Sequence, residues 1–60
     1  MTKKEQQLMA EAIEKLKVQV ENMDYESAHS EADDILCELL NKLGFSAVVD
    51  EWNKVGKWYA

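Results

Sequence analysis

Two carboxylate pairs have the spacing most suggestive of chemistry in this chain. Glu11 and Glu14 form an ExxE pair, and after sixteen intervening residues Glu31 and Asp34 form ExxD. Residues three apart share one face of a helix, and hard divalent cations take oxygen ligands of this kind. Two facing helices that carry such pairs could hold a divalent cation and support metal-assisted chemistry. A second constellation is His29, Asp33 and Cys37 at i, i+4 and i+8, all residue types that ligate transition metals. It has no obvious fourth ligand. Its plainer reading is a histidine at the border of an apolar sector, held by Asp33, with Cys37 as a small filler at an edge.

The acids are unevenly spread. The formal net charge is -5, yet residues 1–20 and 42–60 are each weakly basic, and the deficit lies between them. From Glu21 to Asn41 stand seven acids (Glu21, Asp24, Glu26, Glu31, Asp33, Asp34 and Glu38) and no lysine. Arginine is missing from the whole chain, which removes the best reader of phosphates and base edges and argues against direct nucleic-acid binding. A basic protein surface is the expected partner. On this reading Glu26, Glu31, Asp34 and Glu38 of the second helix steer the approach, and Trp58 with its aromatic neighbours supplies desolvated contact. One version is mimicry of nucleic-acid charge, with the acids occupying a phosphate-binding groove.

Two family resemblances add expectations. The ExxE and ExxD pairs, with the run EADDILCELLNKLGF entering a turn, resemble the MazG-like all-alpha nucleotide pyrophosphohydrolases. That resemblance implies Glu11, Glu14, Glu31 and Asp34 as magnesium ligands. The second half, with HSEADDILCELLNKLGF, VVDEW and KVGKWYA, resembles small uncharacterised proteins of phages and prophages of Gram-positive bacteria, over about residues 25–60. This second resemblance brings no catalytic residue. It implies a phage or mobile-element accessory protein that binds and inhibits or redirects a host protein, including defence systems, in the host cytoplasm.

The elements that must position these residues are legible from periodicity. Met9, Ile13, Leu16, Val20 and Met23 recur at spacings of four, three, four and three, and Tyr25, Ala28, Ala32, Ile35, Leu39 and Leu43 continue the rhythm. With no proline in the chain, this predicts two packed helices. Thr2 and Glu5 form a capping box for helix one, which is expected to run to about Asn22 with Glu11 paired to Lys15. Asp24 is the expected N-cap of helix two, with Met23 and Ala28 as a hydrophobic staple. Glu38 pairs with Lys42 by spacing, and Gly44 closes the helix after Leu43 so that Phe45 folds back onto Leu40. Ser46 is expected to cap a third helix with Val48, Val49, Trp52, Val55 and Tyr59 on one arc and Asp50 paired to Lys54. Packing the two long stripes together directs Glu11 and Glu14 away from Glu31 and Asp34.

Sixty residues make a single helical domain, 1–60, that buries only about 60% of its unfolded surface. The expected fold is all-α: a helical hairpin of two long helices with a short C-terminal third helix, assembled as a homodimeric bundle. Leu8, Ala12, Leu36 and Leu40 widen the apolar stripes beyond what one hairpin covers, and small chains often gain stability by self-association. Single Cys37 excludes an internal disulfide, and no signal-like or membrane-spanning run is expected, so the reading is cytoplasmic. The function expected from these features is a non-enzymatic protein-interaction module without a cofactor. Its competitors are the magnesium-dependent nucleotide hydrolase and a purely structural homo-oligomer.

Overall fold

The structure is a computed structural model and describes residues 1–56. It consists of α1 (Lys3–Val20), α2 (Tyr25–Lys42) and α3 (Ser46–Asn53), with no strand among the described residues. Each boundary has a local cause. At the start of α1 the Thr2 N–H donates to Glu5 Oε1 at 2.8 Å, and the Glu5 N–H donates to Thr2 Oγ1 at 3.0 Å, so a reciprocal capping box satisfies two orphan amides. That bond to the Thr2 amide holds the Glu5 carboxyl below its usual range.

The first helix stops at Val20, two residues before the expected end. Asn22 causes this by competing for the backbone. Its side chain accepts from the Asp24 N–H at 3.0 Å and donates to the Gln19 side chain at 3.1 Å, which ties the turn closed. Asp24 caps α2, accepting from the Ser27 N–H. Met23, expected to staple onto Ala28 beside it, is 78% exposed.

At the other end of α2 the chain reverses through Gly44, whose φ is +90°. The Gly44 N–H donates to the Asn41 carbonyl and the Phe45 N–H to the Leu40 carbonyl, at 3.1 and 2.9 Å, the paired bonds of a left-handed helix terminus. The Phe45 backbone therefore folds back onto Leu40 as expected, while its side chain stays 52% exposed. Its residue position, not that of Ser46, caps α3, and no side chain makes the cap bond; Ser46 is the first helical residue. The third helix also ends earlier than its apolar arc, at Asn53, and Lys54 pairs with Glu51 at 2.8 Å where Asp50 was expected. Tyr59, at the end of that arc, lies outside the described residues.

Packing follows one central helix. α1 and α3 each pack on α2, and they do not meet one another. The Cα envelope is 37 × 28 × 10 Å, so the three helices form a single layer. Lys15 of α1 pairs with Glu38 of α2 at 3.5 Å, and Leu8, Ala12 and Lys15 line the seam with Ile35, Leu39 and Lys42, which makes the hairpin antiparallel. The seam is rotated from the expected stripe. Ala12 is buried at 8% exposure, whereas Met9 and Ile13 are each 44% exposed and Val20 82%. A methyl group at Ala12 lets the two helices approach closely, and the rotation brings Lys15 within reach of Glu38. Lys15 thus leaves Glu11, which accepts instead from the Gln7 amide at 3.4 Å. Among the described residues Ala12 and Val49 alone are buried.

Candidate functional site

The side of α2 opposite its neighbours carries the candidate acids. α1 covers the side with Ile35 and Leu39, and α3 covers the side with Leu40 and Cys37. At 100° per residue Glu31, Asp34 and Glu38 fall within about 60° of one another on what remains. Glu26 lies in the first turn of α2, where a carboxylate complements the helix dipole, and about 80° away from Asp34 around the axis. The structure thus groups three of the four expected acids and sets the fourth apart.

These three acids are not equivalent. Glu38 accepts from Lys42 at 3.0 Å as well as pairing with Lys15. The hydrogen bond from Lys42, then the charge of Lys15, holds the Glu38 carboxyl below its usual range, and the same bond raises the Lys42 ammonium. Glu38 is therefore a clamp between α1 and α2 with its charge offset by two lysines. Glu31 and Asp34 are exposed and take part in no ion pair among the described residues. Trp58, the expected aromatic anchor, lies outside the described residues.

The expected metal quartet is distributed over different surroundings. Glu11 lies on the polar rim of the seam beside Lys15, Glu38 and Lys42, Glu14 pairs with Lys17 at 3.2 Å, and Glu31 and Asp34 lie on the outer side of α2. Among the described residues no group of three or more His, Cys, Asp or Glu side chains is arranged to hold a metal ion. His29 Nε2 lies 4.0 Å from Asp33 Oδ2, the histidine–aspartate contact expected from their spacing. Cys37 is half-buried and carries a free thiol.

One feature was not anticipated from the residues. Leu36, Cys37 and Leu40 of α2 and Val48, Val49 and Trp52 of α3 line a groove of about 150 Å³, with Asp33 at its wall. Its signal was present in Gly44, because the left-handed turn returns the chain along α2 and lays Val49 and Trp52 over Leu40. No helix of the described residues is long and apolar enough to cross a membrane. No family model matches the chain, and neither a curated protein nor a solved structure does.

Proposed function

We propose that this chain is a non-enzymatic interaction module that binds a protein with a basic surface through the outer side of α2. The observation that carries the reading is the contrast among its acids. Glu14, Glu38 and Glu51 each have a lysine partner, whereas Glu31 and Asp34 stand exposed together with none among the described residues, in a segment that holds seven acids and no lysine or arginine. Exposed, unneutralised charge of one sign raises the rate of encounter with a surface of the opposite sign and fixes its orientation. Glu31 and Asp34 are the residues that recognise the partner, Glu26 extends the negative field, and Glu38, its charge offset by Lys15 and Lys42, holds the hairpin in shape beside them. Trp58, which lies outside the described residues, is the proposed source of apolar contact.

The resemblance of residues 25–60 to phage-encoded proteins supports a host protein as the partner, with inhibition or redirection of that protein in the cytoplasm as the outcome. A groove that normally takes phosphates is the kind of basic surface that fits this side of α2. The module acts as a homodimer, a reading supported by how little of the apolar surface one chain buries. Affinity capture from a bacterial lysate tests the binding claim, comparing the native chain with the Glu31→Lys, Asp34→Lys double variant. A host protein enriched by the native chain and lost with the variant, at unchanged helicity, is the expected result. Retention of the same protein by the variant would reduce the acids to a solubility device.

A further inference from the structure

The hairpin has two unlike sides. Along one run Glu11, Lys15, Glu38 and Lys42. Along the other, Met9, Ile13 and Val20 fall within about 40° on α1, and Tyr25, Leu36 and Leu43 within about 20° on α2. All but Leu43, which is half-buried, are large apolar side chains left open to solvent: Met9 and Ile13 at 44% exposure, Leu36 at 49%, Tyr25 at 72% and Val20 at 82%. No lysine, aspartate or glutamate occupies those positions.

We infer that this apolar side is covered by a second copy of the chain, two hairpin layers closing face to face about a twofold axis into a four-helix core. The inference rests on the homodimeric reading above and assigns its surface. Area supports the choice of occupant. The chain presents 4810 Å² of accessible surface, whereas a compact monomer of 6.9 kDa exposes about 4000 Å². The excess of about 800 Å² is what one partner contributes to a standard stable interface. Thickness gives the second argument, because a layer whose Cα atoms span 10 Å has no interior, and stable domains bury an apolar face between two layers. Charge gives the third. Two chains of net charge -5 repel one another, and this side lets them meet with Glu31 and Asp34 pointing away. An isologous contact needs only a self-complementary patch, which an uncharged apolar strip provides.

The test combines sedimentation equilibrium of the full chain from about 1 to 100 µM with thermal melts over the same range. A dimer mass at tens of micromolar and a melting temperature that rises with chain concentration are expected. The Ile13→Glu, Leu36→Glu variant, which places four charges in the twofold contact, should weaken association by roughly a hundredfold or more, while Glu31→Lys, Asp34→Lys leaves it intact. Should the first variant fail to fold, peroxide oxidation of the native chain reads the same surface: Met9 should become protected as concentration rises and Met1 should not. A monomer at every concentration, with an unvarying melting temperature, would overturn both this surface and the homodimeric reading, leaving the apolar side to another occupant. A dimer indifferent to Ile13→Glu and Leu36→Glu, or one in which Met9 oxidises as fast as Met1, would overturn the surface alone.

Discussion

Replacement of Gly44 isolates the turn that lays α3 along α2. Its φ is +90°, and a Cβ built on it would meet nothing within 4 Å. Alanine there encounters no collision, so its cost is confined to the backbone. Holding an L-residue in the left-handed region costs about 1–2 kcal/mol, and the restriction alanine places on the unfolded chain returns about 0.4–1 kcal/mol of that. The net loss is about 1 kcal/mol, or a fall of about 4–8 °C in melting temperature for a domain of this size. The opposite hand reverses the sign. D-alanine adopts this φ naturally and enters the same open space, so it should stabilise the fold by about 0.4–1 kcal/mol. A chain of 60 residues is accessible to chemical synthesis, and the three versions can be melted by circular dichroism at one fixed chain concentration. The expected order is D-alanine, glycine, L-alanine. An L-alanine chain that melts at or above the glycine chain, or a D-alanine chain that melts below it, would refute the left-handed turn and with it the placement of the α2–α3 groove.

Two further expectations concern the seam and its charges. Ala12→Leu inserts a branched side chain at the buried position of the α1–α2 seam and should cost about 1–3 kcal/mol by overpacking, measured by urea denaturation. A neutral effect would mean that the helices meet through the Met9 and Ile13 stripe instead. The acid limb of the stability profile should steepen because of Glu38 and Glu5, whose carboxyls sit below the ordinary value of 4.5 in the folded chain. A lowered folded pKa means that the contribution is fully present above 4.5 and is lost as pH falls through the folded values. Thermal melts of the native chain and of Glu38→Gln between pH 7 and pH 2 should therefore converge as pH falls from 4.5 through the folded value; parallel curves would show that Glu38 has no lysine partner.

Local chemistry made much of this protein legible from the order of its residues alone. The capping box at Thr2 and Glu5, the Asp24 cap, the Glu38–Lys42 pair and the reversal at Gly44 all involve groups at most five positions apart, so they are decided before any helix meets another. The number, type and approximate ends of the helices follow from them. Tertiary packing decided what sequence periodicity left open. The apolar arc of α1 is wider than one neighbouring helix can cover, so Leu8 with Ala12 and Met9 with Ile13 were both available to face α2. Ala12 permits the closer approach, and Lys15 gains a cross-helix carboxylate at 3.5 Å. That rotation leaves Met9 and Ile13 exposed and converts Glu38 from a surface acid into a clamp, while Glu31 and Asp34 stay among the acids without an ion pair in the described residues. Helix termini obey their immediate neighbours, whereas which side of a helix is buried depends on residues more than twenty positions away.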